Sequence, residues 1–368
     1  MNNRWVKWAL PCAFVAASAG ALAVAFFGRG TGAGAPEKAR KGALAVAWRV
    51  QMAASPNLPC AFANGWIVTD AAGGVTALSP EGRRLWQAGF SNQVFDCAAS
   101  AVGGLAVVAS QQGRVAGLKA STGEVVWVRE TEGRFQHAPL TGMRGGEPVI
   151  WLVSQEDGRI FCLRAGDGVV VWRGEATNRC DGEPVAWQGR IAYGNCDGAI
   201  YVFDAENGNL LGSVVVGADD QMAGGVLAMP GGRLAAGTRQ GNLVAVNAET
   251  LTREALVNIS PSEAFVTPVL AFGGLIATGT QEGEVVFWRA GEKLAGRVAV
   301  GSAVSGLVFD EGRLYVLAGG GVSVFESQGQ PAERLALGDD VRGPVAGSSG
   351  FLACVADRAV VCLKGGGR

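Results

Sequence analysis

Charge is scarce in this sequence. Asp, Glu, Lys and Arg make up only 17% of its 368 residues, against about 25% in ordinary globular chains. The formal net charge is −1, and no block of like charge stands out, so nothing points to nucleic acid as a partner. Histidine occurs once, as His137. With no Cys/His cluster at ligand spacing, a zinc site of the usual kind is excluded. There is no G-x-x-x-x-G-K-[ST] phosphate loop and no C-x-x-C-H haem site. Beyond the first 43 residues no segment keeps a 3.6-residue apolar period, which excludes a helical bundle or coiled coil.

Glycine and hydrophobic residues are what the chain has in excess. It holds 57 Gly and 13 Pro, with 49% hydrophobic residues. Glycine at about 15% is roughly twice its usual share, yet no G-x-y period makes the chain collagen-like. An evenly spread glycine excess implies regularly spaced turns.

Residues 8–27 form the one long apolar stretch without charge, preceded by Arg4 and Lys7 and followed by Arg29. About 20 residues suffice to span a bilayer as a helix, and the run exceeds the core of a cleavable signal. Residues 1–27 are therefore expected to be a signal anchor, with a cleaved signal peptide as the alternative. Residues 28–43 are expected to be a flexible stalk, and residues 44–368 the folded domain. That domain carries 25 of the 31 basic and 31 of the 32 acidic side chains, a net of about −6. This disfavours nucleic acid or anionic lipid as its target.

One phrase recurs along the domain: an apolar run, a turn with glycine, a second apolar run and a second turn. The clearest copies begin at Gln112, Asp157, Asp197, Gln240 and Glu282, and weaker ones at Gly73, Gly320 and Asp357. Aligned on Gly74, Gly113, Gly158, Gly198, Gly241, Gly283, Gly320 and Arg358, they are spaced by 39, 45, 40, 43, 42, 37 and 38 residues. A period of about 41 residues is that of a four-stranded propeller blade. Third-strand runs such as Ile160-Phe161-Cys162-Leu163 are wholly apolar. An exposed sheet would alternate, so these strands are expected to be buried on both faces between neighbouring blades.

The fold expected is all-β: an eight-bladed propeller of four-stranded antiparallel blades, with seven blades as the alternative should one weak copy be degenerate. The last copy ends at Lys364 after its third strand, while a spare strand-like run, residues 45–50, precedes the first. That run is expected to complete the eighth blade and close the ring, removing the exposed edges of an open array.

The phrase Ala120-Ser121-Thr122-Gly123-Glu124-Val125-Val126-Trp127 resembles the tryptophan-docking motif of PQQ-type eight-bladed propellers, as do residues 164–172 ending in Trp172. Trp48 and Trp86 stand at the same place in their repeats, while Gly212, Ala255, Ala295 and Glu333 stand near it in later ones. The resemblance implies one of two roles. In PQQ-dependent alcohol dehydrogenases the ring holds quinone and Ca²⁺. In BamB-like subunits of the outer-membrane β-barrel assembly machinery it is a non-catalytic interaction platform. The length fits the second, and the adjacent cysteines that accompany the quinone are missing. No cofactor and no catalytic residue are therefore expected, and no lipobox cysteine ends the apolar segment.

The function expected is a protein-interaction scaffold in a bacterial envelope complex. It is anchored in the inner membrane by a single pass, with the propeller on the periplasmic side, or secreted there after signal cleavage. A quinone-dependent dehydrogenase or a small-ligand sensor is the alternative. Rigid scaffolds bind through their loops. Candidate partner-binding residues on the face carrying the B–C turns and D–A connectors are Asn92, Gln93, Arg134, Gln136, Asn178, Arg179, Asp219, Asp220, Asp339 and Arg342. The acidic connector residues, Asp96 and Asp181 among them, lack the ligand spacing of a Ca²⁺ loop. His137 reads as a polar loop residue near the channel mouth. Counting outward from a turn at Gln188-Gly189, Cys180 falls nearly opposite Cys196, a candidate disulfide.

Overall fold

A computed structural model describes residues 43–365, apart from 64, 176, 218–219, 223, 260–263, 266, 291–293, 327–328, 340 and 348–350. The expected anchor and all but the last residue of the expected stalk lie outside the described residues, as does Asp219. Among the described residues no helix is long and apolar enough to cross a membrane.

The chain forms eight four-stranded antiparallel sheets. Seven are consecutive in sequence: blades 1 to 7 span residues 60–89, 100–130, 140–173, 185–215, 226–258, 270–299 and 304–336. Within each, strands A, B, C and D pair in chain order. Blade 8 takes its first three strands from Val341–Ala346, Phe351–Ala356 and Ala359–Lys364. Its fourth, strand 8D, is Ala45–Gln51 from the N-terminal end, paired antiparallel from Ala45↔Lys364 to Gln51↔Ala359. The spare strand thus closes the ring as expected.

Burial explains why the sheets assemble this way. Third strands are buried almost throughout, as in Ile160–Arg164, where only the last residue is exposed. The buried residues fall into eight apolar clusters, each bridging two neighbouring blades. One joins Val345, Ala353 and Val360 of blade 8 to Trp66, Val68 and Leu78 of blade 1. Eight clusters for eight interfaces leave no blade with a bare apolar face, as closure requires.

Turn chemistry sets the repeat. The B–C turns need a left-handed residue, supplied by Gly113 (φ 82°) and its counterparts. In blade 1 it is Gly73 (φ 80°), one position before the glycine of the sequence alignment. In blade 8 Asp357 and Arg358 adopt it without glycine, at φ 50° and 61°.

The tryptophan motif works between blades. Trp48, Trp86 and Trp127 each donate Nε1–H to a C–D turn carbonyl of the next blade: Pro80 at 2.6 Å, Ala120 at 2.9 Å and Ala165 at 2.9 Å. Their rings cover Gly82, Gly123 and Gly168, where any β-carbon would collide with the indole. Trp172 covers Gly208 in the same way, but its buried Nε1 has no acceptor. The corresponding carbonyl, Ala205, is bonded instead by Trp151 at 3.2 Å. At the next interface Gly212 replaces the tryptophan, and the side chain of Leu251 fills the space above it.

Candidate functional site

Strand direction gives the ring two faces. The lower carries the A–B and C–D turns, the upper the B–C turns and D–A connectors. Strand 8D starts beside Lys364, at the end of blade 8 opposite its B–C turn, so the upstream chain enters at the lower face.

Backbone bonds fix the upper face. Each connector lies between the B–C turns of two blades: Phe135 N donates to Ser110 O at 3.3 Å, and Gln155 N to Arg134 O at 2.8 Å. The pattern repeats with Cys180 to Gln155, Cys196 to Arg179, Met222 to Asn195, and Arg239 to Gln221. Among the described residues, these bonds tie the loops expected to bind a partner into a hydrogen-bonded rim.

All the described candidates lie on this rim, spread over five connectors, but they divide into two kinds. Asn92, Arg134, Gln136, Asn178, Arg179 and Asp339 are exposed. Arg134 pairs with Glu156 at 3.2 Å, and the backbone N–H of Asp339 donates to Asp357 at 2.8 Å. Gln93 is buried and accepts the Ser110 hydroxyl at 2.7 Å. Asp220 is buried and accepts from Gln221 N, Gln240 N and Asn242 Nδ2 at 2.8, 3.1 and 2.8 Å. Arg342 donates to Pro56 O at 3.0 Å, tying blade 8 to the segment before blade 1. These three hold connectors in place and offer a partner little surface.

The Cys180–Cys196 disulfide is not formed: both thiols are free. Cys180 is turned into the core between blades 3 and 4 and donates to Gly182 O at 3.3 Å. Cys196 donates instead to Asp181 Oδ2 at 3.2 Å. The register counted from the turn holds, with Trp187↔Arg190 and Val185↔Ala192, but the two strands span only Val185–Trp187 and Arg190–Gly194, so the ladder stops short of both cysteines and does not set them face to face.

Asp181, a connector residue outside the partner-binding candidates, centres a polar network on the rim. It accepts from Arg179 Nε at 2.8 Å, Gln155 Nε2 at 2.8 Å and Cys196. Burial pushes its carboxyl up, but these bonds prevail and hold it below its ordinary range. His137 Nε2 lies 3.3 Å from Cys180 O, and burial lowers its pKa, favouring the neutral ring. Glu183, at the entry of strand 4A (Val185–Trp187), is only partly accessible. Burial without a compensating cation raises it to about 7. A lone Glu before Pro184 gives no sequence signal of this kind.

The thiols are not poised for chemistry. Burial raises Cys97, Cys162, Cys354 and Cys362 to about 12 and Cys196 to about 11. A thiol so shifted is almost wholly protonated at neutral pH and a poor nucleophile. Among the described residues no group of three or more His, Cys, Asp or Glu is placed to hold a metal ion.

Several solved structures share this architecture. BamB from Moraxella catarrhalis superposes with a TM-score of 0.72 at 20% identity, over 87% of this chain and 97% of that one. The quinohemoprotein alcohol dehydrogenase ADHIIG from Pseudomonas putida HK5 gives 0.71 at 13%, over 89% and 77%. The computationally designed Ika8 protein gives 0.69 at 15%, over 85% and 97%. At these identities the likeness establishes the fold alone. No curated protein matches the sequence. The sequence profile of the family described as outer membrane protein assembly factor BamB matches residues 71–290, more than half of the chain. On that match, the chain belongs to the BamB family of PQQ-type propellers.

Proposed function

We propose that this protein is a non-catalytic scaffold that holds proteins together in a bacterial envelope complex serving outer membrane protein assembly. In this reading residues 8–27 tether it to the inner membrane and the ring lies on the periplasmic side. The observation that carries the proposal is the family match over residues 71–290, a family named for an assembly factor.

The geometry supports it. The chain enters the ring at the lower face, so a tether there leaves the upper rim pointing away from the bilayer. The rim is a fixed surface, and a rigid surface binds without a large ordering cost. Burial pushes the Cys196 thiol up to about 11 and the His137 ring down, both directions that favour uncharged groups on this rim.

Charge changes at exposed rim positions test the role. Arg134→Glu, Gln136→Lys and Asn178→Lys together should abolish capture of the envelope partner from native membranes and leave Tm unchanged. Capture at the wild-type level would remove the rim from the binding surface. The dehydrogenase reading makes the opposite demand. Saturating PQQ with Ca²⁺ should leave Tm where it was and give no dye-linked alcohol oxidation; a saturable rise in Tm would replace the scaffold reading.

A further inference from the structure

Every blade ends in an outer strand D, and among the described residues none of these strands has a partner on its far edge. Such an edge presents a row of unpaired N–H and C=O groups, and proteins guard it with charge. Seven of the eight outer strands carry an arginine, from Arg49 in strand 8D to Arg334 in strand 7D (Glu333–Ala336). Strand 4D, Leu210–Val215, is the exception: its sequence LLGSVV has no charged residue. It is also apolar and open. Leu210, Leu211 and Val215 are 45%, 44% and 61% exposed. Leu211, Ser213 and Val215 alternate along one face, all exposed, while Val214 between them is buried in the core between blades 4 and 5.

We infer that strand 4D is a strand-addition site for an extended, uncharged segment of a partner protein, with apolar residues at alternate positions. The inference rests on the scaffold reading and names the chemistry of its partner. A bare backbone ladder is matched only by another extended chain. An edge without charge offers nothing to hold a charged segment and does not repel a neutral one. A second copy of this chain fits less well. Two convex rims meeting along six residues each fall short of the roughly 1,200–2,000 Å² that a stable dimer buries. A single incoming strand need not bring a second ring against the first.

Fluorescence anisotropy on the full chain in detergent tests this, with a labelled eight-residue peptide of alternating Val and Thr. Saturable binding is expected, weakened at least tenfold when alternate peptide amides are N-methylated. Ser213→Arg should weaken it at least tenfold with Tm unchanged. Val215→Glu, which copies Glu130 at the end of strand 2D (Val125–Glu130), should do the same and serves if the first variant misfolds. Absence of saturable binding, or binding indifferent to N-methylation and to both variants, overturns the inference. So does a dimer in sedimentation that Ser213→Arg dissociates, which would assign the edge to a second copy. Partner capture that depends on the rim while the peptide fails to bind removes the edge site and leaves the scaffold reading intact. Peptide binding without partner capture does the reverse.

Discussion

Trp127 and Trp172 occupy one motif but have different environments. Trp127 is buried, covers Gly168 and bonds to Ala165 O. Replacing it with Ala should cost about 3–5 kcal/mol, the usual range for deleting a buried Trp, and lower the denaturation midpoint accordingly. Trp172 has a buried Nε1 without an acceptor. Trp172→Phe trims the ring over Gly208 but deletes a donor whose desolvation nothing offsets, so it should cost less than Trp127→Phe, which loses a hydrogen bond as well; an equal or larger loss in denaturant melts would show that the Trp172 N–H is satisfied. The motif was legible in the sequence, but the competition for Ala205 O was not. It depends on Trp151, which lies in another strand and outside the motif. Glu183 gives a test in pH. Its folded-state pKa, about 7, lies above that of an ordinary carboxyl. A raised pKa means the folded state binds the proton more tightly than the unfolded one. The stabilisation it contributes is full below the ordinary carboxyl pKa and is lost as pH rises towards 7. Glu183→Gln should therefore raise Tm at pH 8 and change it much less at pH 4.5, as read by thermal melts at both pH values.

At the scale of the strand, 8D carries the closure. It pairs along strand 8C (Ala359–Lys364), and Arg49 adds an ion pair to Asp357 at 3.4 Å and a hydrogen bond to Leu337 O. Removing residues 1–51 would strip the partner from strand 8C and uncover buried Val361 and Leu363. The loss should exceed about 5 kcal/mol, beyond the range of ordinary point lesions, and the shortened chain should self-associate on size-exclusion chromatography. A shortened chain that stays monomeric with an unchanged Tm would contradict closure by this strand. Strand identity and closure could be read from the sequence because they rest on local turn chemistry and apolar runs. The missing charge in strand 4D was equally present there, but it acquires meaning only when all eight outer strands are known to share one position. The candidate site was less legible. Gln93 and Asp220 look like free loop polar residues in the sequence, and it is their hydrogen bonds to the next blade that bury them.

For the whole molecule, eight clusters between eight blades make one ring in which no blade has a core of its own. This removes the division into two or three domains that 368 residues would suggest. Among the described residues the ring offers a lower face where the chain enters, a hydrogen-bonded upper rim and, on blade 4, an outer strand without charge. The claim that most needs testing is that this surface engages other envelope proteins. Crosslinking with mass spectrometry in native membranes, using a photo-reactive residue at Gln136 and separately at Ser213, addresses it directly. The account predicts crosslinks from these positions to one or a few envelope proteins, and none from a lower-face control at Gln188. Crosslinks confined to other copies of this chain, or equal yields from all three positions, would contradict it.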